Sequence, residues 1–126
     1  MTQNSKKFGD NAINRLVLSG DKRYLGACSF GLVKVFDLRP GNQDQDMNFD
    51  GMNSNVIAMS FQKQNKWFFA ACEDGNIKIF DFKGQGYQRQ YDNGGVMINC
   101  AVLHPNEVEI IFGDQNGEIK VWDLQV

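Results

Sequence analysis

One stretch of eight residues occurs three times in this chain, and the repeat constrains the fold more than any other feature. The copies begin at Gly31, Gly75 and Gly117, so they lie 44 and then 42 residues apart. Each reads glycine, any residue, β-branched, lysine, β-branched, aromatic, aspartate and apolar. A period of about 40 to 45 residues with this content is typical of propeller blades, each built from four antiparallel strands. The sequence therefore predicts an all-β chain with three such blades.

The remainder of each period supplies the other strands of a blade. The pairs Asp74-Gly75 and Asn116-Gly117 are strong hairpin signals, because these residues tolerate a positive φ. Apolar residues do not recur at helical spacing over any long window, so no helix is predicted. The strands predicted besides the repeated stretch are 13–18, 24–28, 56–61, 68–72, 98–103 and 110–113, with weaker fourth strands near 47–49 and 87–91.

Residues 1–126 are interpreted as one domain with blades at about 13–49, 56–91 and 98–126. The third of these blades lacks a fourth strand. Residues 1–12 are predicted to be available as an outer strand for a neighbouring blade, with Lys6 to Phe8 as its centre.

Nine positions that recur in register are assigned structural roles. The three aspartates occupy the same place in successive blades, each ending a strand after an aromatic residue. The paired carboxylates of glycosidases must instead lie about 5 to 9.5 Å apart. The structural positions are Gly31, Gly75, Gly117, Phe36, Phe80, Trp122, Asp37, Asp81 and Asp123.

Composition limits the classes of binding partner and the cellular compartment that are compatible with this chain. A net charge of −2 and a pI near 5.3 argue against a basic surface for nucleic acid. No run approaches the roughly 18 to 20 apolar residues that a membrane span needs. The polar N-terminus has no apolar export segment, so the three cysteines are interpreted as reduced thiols in a cytosolic or nuclear protein, and a cytoplasmic location is predicted. All three are expected to be buried, with Cys28 and Cys72 at equivalent positions three residues before their hairpin glycines.

No catalytic, metal or cofactor site is predicted. The lone histidine, His104, precedes a proline in a turn and is expected to make a local hydrogen bond. Neither a Cys-x-x-Cys pair nor a Gly-x-Ser-x-Gly elbow is present. Lys34, Lys78 and Lys120 recur in register, and we expect their stems to cover apolar surface while the ammonium groups stay in water.

The repeats resemble those of WD-repeat proteins. The third copy contains the Trp122-Asp123 pair itself, whereas the first two carry Phe-Asp, and the Gly-His pair of that family is missing from all three. The run from Asn99 to Asp123, together with residues 49–55, Trp67 and residues 14–16, is similar to one subfamily, the WD-repeat subunit of TOR kinase complexes. This resemblance covers nearly all of residues 13–124.

The resemblance implies a non-catalytic function. Members of that subfamily are seven-bladed propellers that bind the catalytic domain of the TOR kinase and stabilise it. Three other interpretations stay open, of which one, an enzyme, would have to use the lone histidine His104 as its base. Phe36-Asp37-Leu38-Arg39 is faintly similar to an element of ubiquitin-ligase substrate receptors, and the chain could instead be a self-assembling propeller fragment.

Three blades in an open row would leave two terminal sheet faces bare, which favours association. One solution is that the sequence is the N-terminal portion of a seven-bladed propeller. The other is that two chains close a six-bladed ring, with Lys6 to Phe8 of one chain beside residues 119–122 of the other.

The loop that enters each blade and the turn between its second and third strands are expected to share one face and to contact the protein partner. Phe30 stands where the sister repeats have Asp74 and Asn116, so it either covers the hairpin end or contacts the partner. Trp67 is expected in the core. The residues predicted for the partner surface are Phe30, Met52, Asn53, Asn55, Asp74, Met97, Asn99 and Asn116.

Overall fold

The computed structural model describes residues 8–41, 46–84 and 86–124, and across these residues the secondary structure is all strand with no helix. The all-β prediction is confirmed. The strands are β1 (Arg15–Leu18), β2 (Tyr24–Asp37), β3 (Asp46–Phe61), β4 (Trp67–Cys72), β5 (Asn76–Asp81), β6 (Tyr87–Asp92), β7 (Ile98–Leu103), β8 (Glu109–Asp114) and β9 (Ile119–Asp123).

The long strand β2 doubles back on itself. An extended strand of 14 residues would be about 45 Å long, yet the Leu38 amide donates to the Arg23 carbonyl at 2.8 Å. The reversal occurs at Gly31, whose φ is +70°. β2 therefore supplies both the second and the third strand of the first blade.

The strand β3 belongs to two blades. Its first residues, 46–50, pair with β2, and residues 56–61 pair with β4. Between them the chain crosses from one blade to the next, beginning at Gly51 with a φ of +100°. The first blade is thus β1, β2 and the start of β3, and the second blade is the rest of β3 with β4, β5 and β6.

The third blade is the separate sheet β7-β8-β9, which has three strands in the part of the chain that the structure describes. The predicted outer strand around Lys6 falls mostly on residues outside the described ranges. Residues 8–14 are not a strand.

The first blade has a shorter hairpin than the other two. The hydrogen bond that closes it joins Arg23 to Leu38, whereas the corresponding bonds in the other blades join Lys66 to Phe82 and Val108 to Leu124, one residue further apart. Cys28 is therefore equivalent to Ala71 and not to Cys72. The predicted equivalence of Cys28 with Cys72, and of Phe30 with Asp74, is wrong by one residue.

Two apolar clusters hold the blades together. Between the first and second blades, Val33, Val35 and Phe49 meet Phe68 and Phe80. Between the second and third blades, Phe69 and Ile77 meet Ile110 and Phe112, with Trp67 packed against them as predicted. Complete burial of one such side chain contributes roughly 1.5–3 kcal/mol.

Each blade therefore has a leading face, on the side of the preceding blade, and a trailing face, on the side of the next one. Two of these pairs of faces meet within the chain, one at each boundary. Alternation along the strands assigns every strand residue to one of them. In the second blade the leading face includes Met59, Phe61, Phe68, Ala70, Phe80 and Phe82, and the trailing face includes Ala58, Phe69, Ala71, Ile77 and Ile79.

Candidate functional site

The crossovers between blades and the hairpin turns lie at the same end of the sheets, which we call the hairpin end. Glu73 N donates to the Asn55 carbonyl and Gln115 N donates to the Met97 carbonyl, each at 2.9 Å. Phe30 pairs with Asn55 across β2 and β3. The expectation that entry loops and hairpin turns share one face is thus met at these contacts.

The predicted partner residues differ in exposure. Phe30 is 51% exposed and Met97 is 40% exposed. Of the polar ones, Asn53, Asn99 and Asn116 are exposed and Asn55 and Asp74 are half-buried.

Met52 was predicted to lie on this surface, and that placement is wrong. The positive φ of Gly51 turns the chain inward, and Met52 is 6% exposed within the cluster between the first two blades. Met52 is a core residue.

Polar side chains at the hairpin end are linked across the blades. Asn14 Nδ2 donates to Asn55 Oδ1 at 3.0 Å, and Asn55 Nδ2 donates to Glu73 Oε2 at 3.4 Å. The sequence interpretation did not select Asn14 or Glu73 as surface residues. The spacing of 41 residues between Asn14 and Asn55, close to one repeat, is the signal that could have indicated the pair.

The aspartate carboxylates of the hairpins accept hydrogen bonds from backbone amides and so stabilise the turns. Asp74 Oδ1 accepts the Asn76 amide at 3.2 Å. Asp114, which the sequence interpretation missed, accepts the amides of Asn116 and Glu118 at 3.0 Å and lies 3.7 Å from the Lys120 ammonium. Hydrogen bonding by Asn93 and these amides lowers the pKa of Asp114.

The strand-ending aspartates are also structural where the structure describes their contacts. Asp37 Oδ1 accepts the Arg39 amide at 3.0 Å, and Asp81 Oδ1 accepts the Lys83 amide at 2.8 Å. Asp37 in addition receives the Arg39 guanidinium, with Nη2 at 2.8 Å from Oδ2. These bonds lower the pKa of Asp37 from its ordinary value to about 2.

The depressed pKa of Asp37 predicts an acid-sensitive contribution to stability. The charged carboxylate stabilises the fold above the ordinary aspartate pKa, and this contribution is lost as the pH falls from about 4 to about 2. We expect Asp37→Asn to unfold at a lower urea concentration than wild type at pH 7 and at a similar one at pH 2. Asp50→Asn, at an exposed site, is the control. An equal difference at all pH values would contradict the role of the charge.

Of the recurring lysines, Lys78 is buried, contrary to the sequence interpretation, whereas Lys34 and Lys120 are half-buried. Lys78 is 4% exposed, and its Nζ donates to the Gly51 carbonyl at 2.8 Å. Lys34 Nζ donates to the Phe8 carbonyl at 2.8 Å, and Lys120 Nζ donates to Asn93 Oδ1 at 2.7 Å. Each lysine thus donates a hydrogen bond to the segment of the chain that enters its blade.

His104 and two charged residues of the groove between the second and third blades make local hydrogen bonds. His104 Nδ1 accepts the Asn106 amide at 3.0 Å, which is the local bond expected of a turn histidine. A groove of about 310 Å³ lies between the second and third blades. Its Arg89 donates to the Leu124 carbonyl and its Glu107 accepts the Lys63 amide at 2.6 Å. Across the described ranges, no three His, Cys, Asp or Glu side chains are grouped to hold a metal ion.

The cysteines fall into two kinds. Cys28 and Cys72 are buried, and burial raises the pKa of each thiol to about 12. Cys100 is exposed, so the prediction that it is buried is wrong. It lies on the trailing face of the third blade, which no part of the described chain covers.

Within residues 8–41, 46–84 and 86–124 the chain contains no helix that could cross a membrane. Residues 44–81 match the family model described as "WD domain, G-beta repeat".

Curated relatives are similar to most of this chain. It is 32% identical over 117 residues to the bovine (Bos taurus) target of rapamycin complex subunit LST8, covering 92% of this chain and 36% of that protein. It is 36% identical over 118 residues to the target of rapamycin complex subunit wat1 of Schizosaccharomyces pombe, covering 94% and 37%. It is 44% identical over 103 residues to the LST8 homolog of Dictyostelium discoideum, covering 82% and 34%. The chain thus spans little more than a third of these relatives.

The structural comparison agrees on the fold. The chain superimposes on the β-propeller domain of Cps50 (Swd1) from Myceliophteria thermophila with a TM-score of 0.81 at 14% identity, covering 97% of this chain and 37% of that one. The three repeats, the blade architecture and these similarities together show a β-propeller segment with WD-type repeats that is similar, over most of its length, to TOR complex subunits.

Proposed function

We propose that this chain is a non-catalytic subunit that binds the catalytic domain of a TOR-type kinase and stabilises it, in the cytoplasm. The observation that carries the proposal is similarity over more than 90% of the chain to two proteins named as target of rapamycin complex subunits. Because the chain spans little more than a third of those proteins, the proposal covers only contacts that three blades can make.

The hairpin end supports a binding role. Phe30 and Met97 are exposed there, at 51% and 40%, beside hydrogen-bonded turns that fix the backbone. Exposed aromatic and methionine side chains on a rigid scaffold are typical of protein contacts. A surface of this kind binds by complementarity and needs little rearrangement.

A binding experiment with two single variants tests the proposal. We expect the purified chain to retain the TOR kinase of its source cell, and we expect Phe30→Ala and Met97→Ala each to weaken that retention by about tenfold, near 1.4 kcal/mol. Lys63→Ala is the control, since Lys63 is exposed in a turn at the opposite end of the sheets. If both variants retained the kinase with wild-type affinity, the hairpin end would not be part of the interface.

Co-purification also tests the alternative adaptor role. The Arg39 side chain that would mark a ubiquitin-ligase receptor is bound to the Asp37 carboxylate, with contacts at 2.8 and 3.1 Å. This pairing gives Arg39 a structural role within its own turn. Recovery of cullin adaptors without the kinase would contradict the proposal.

A further inference from the structure

Met97 is an apolar residue that is exposed at an internal boundary, with a described blade on each side. It lies in the crossover between the second and third blades and is 40% exposed. Its backbone is fixed, because the Gln115 amide donates to the Met97 carbonyl at 2.9 Å. The next residue, Ile98, begins β7 and is fully buried. Met97 therefore presents its side chain to solvent from a fixed backbone, as expected where successive side chains point to opposite sides.

The position of Met97 is polar at the other internal boundary. Asn55 corresponds to Met97, because its carbonyl accepts the equivalent hydrogen bond, from the Glu73 amide at 2.9 Å. Asn55 Oδ1 also accepts a hydrogen bond from Asn14 Nδ2 at 3.0 Å. The backbone of a crossover is thus compatible with a polar side chain at this place, and methionine is not needed there to build the fold.

The other methionines that the structure describes are less accessible. Met52 is 6% exposed and Met59 is 4% exposed, and both lie in the cluster between the first and second blades. Met47 is half-buried against the same cluster. Because an oxidant in solution must reach the sulfur atom, Met97 should be oxidised before the other three.

Oxidation of a thioether by a peroxide needs no other reactant. The sulfur lone pair attacks one oxygen of hydrogen peroxide and the O–O bond breaks. The proton of the transferred hydroxyl moves to the departing one, which leaves as water, so sulfur is oxidised and the peroxide is reduced. The product is methionine sulfoxide, a polar side chain in place of a flexible apolar one, and methionine sulfoxide reductases reverse the change.

We propose that Met97 is a reversible oxidation site, at which an oxidant of the peroxide class forms methionine sulfoxide and thereby weakens protein binding at the hairpin end. The effect on binding rests on the proposed function, in which the hairpin end contacts the kinase. An apolar thioether is favourably buried in an interface, whereas a sulfoxide oxygen loses its hydrogen bonds to water there. Oxidation of Met97 therefore opposes burial of this residue against a partner.

Peptide mapping by mass spectrometry tests the oxidation site without any partner. The purified chain is treated with hydrogen peroxide for increasing times and then digested. A Cys100→Ser background is used, because Cys100 is exposed and its thiol would also react. We expect complete conversion of Met97 while Met52 and Met59 remain unmodified, and we expect unfolding in urea to abolish this difference. Equal rates of oxidation at Met97 and Met52 in the folded chain would overturn the proposal.

Retention of the TOR kinase tests the effect on binding in the same background. The chain is oxidised and freed of peroxide before the kinase is added. We expect oxidation to weaken retention by about tenfold, as for Met97→Ala, and we expect methionine sulfoxide reductases to restore it. Met97→Leu is the matched variant, since it has an apolar side chain without sulfur, and its retention should not change on peroxide treatment. Lys63→Ala should stay as sensitive to peroxide as the unaltered background.

The outcomes separate the oxidation site from the proposed function. Unchanged retention by a chain that is fully oxidised at Met97 would overturn the effect on binding and leave the kinase interaction intact. An equal loss in Met97→Leu would assign the effect to another residue and would overturn it as well. If the unoxidised chain does not retain the kinase, the proposed function fails together with the effect on binding, whereas the oxidation site is decided by peptide mapping.

Discussion

Substitution of Phe68 by alanine is expected to lower the free energy of unfolding by about 3–5 kcal/mol. Phe68 is fully buried on the leading face of the second blade. The centroid of its ring lies 4.8 Å from the ring centroid of Phe49 and 5.3 Å from that of Phe80. The cavity left by the ring would open at the boundary between the first and second blades, where neither sheet can collapse without leaving its register. Because domains of this size are stable by about 5–15 kcal/mol, the variant should lose a large share of its stability.

The measurement is urea unfolding of wild type, Phe68→Ala and Phe30→Ala. The control deletes the same side chain at a position that is 51% exposed, so it should change the free energy of unfolding by no more than about 0.5 kcal/mol. Similar losses for the two variants would mean that the aromatic cluster does not join the first two blades.

The repeat made most of the fold predictable. The glycine and aromatic pattern starting at Gly75 sets a period, and alternation along Asn76–Asp81 then fixes which side chains face which neighbour. The same pattern placed the third strand of each blade. It could not reveal that the first hairpin is one residue shorter, because the glycine that marks the turn is present in all three copies. That single residue moved Cys28 to the other face of its blade.

The candidate surface was less predictable, because exposure depends on contacts between blades. Met52 stands among polar residues and looks like a loop residue, but the positive φ of Gly51 directs it into the core. Lys78 looks like a surface lysine in any strand, yet its partner is the carbonyl of Gly51, 27 residues earlier. Cys100 looks like a core thiol, and it is exposed because nothing in the described chain covers its face. In each case the exposure depends on the path of the backbone or on what packs against the blade, and the residue type reveals neither.

Substitution of Gly75 by alanine is the second change expected to have a large effect. Gly75 has a φ of +97°, and a Cβ atom there would lie 2.7 Å from the Val96 carbonyl oxygen. A left-handed conformation costs a residue with a Cβ roughly 1–2 kcal/mol. Forced overpacking against the crossover adds roughly 1–3 kcal/mol. The crossover cannot easily move away, because the Asn93 amide donates to the Gly75 carbonyl at 2.9 Å and the Val96 amide donates to that of Asn93 at 3.1 Å.

Gly117→Ala separates the two causes, since Gly117 has the same place in its repeat and a φ of +79° but no atom within 4 Å of the Cβ position. It should show only the conformational cost, so Gly75→Ala should lose more stability in urea unfolding. Gly31→Ala, whose Cβ would lie 3.1 Å from the Met52 carbonyl, should fall between them. Equal losses for all three would mean that the backbone conformation, and not the approach of the crossover, selects glycine here. The expected order would instead show that the hairpins of the first two blades are packed against the segments that lead into the next blade.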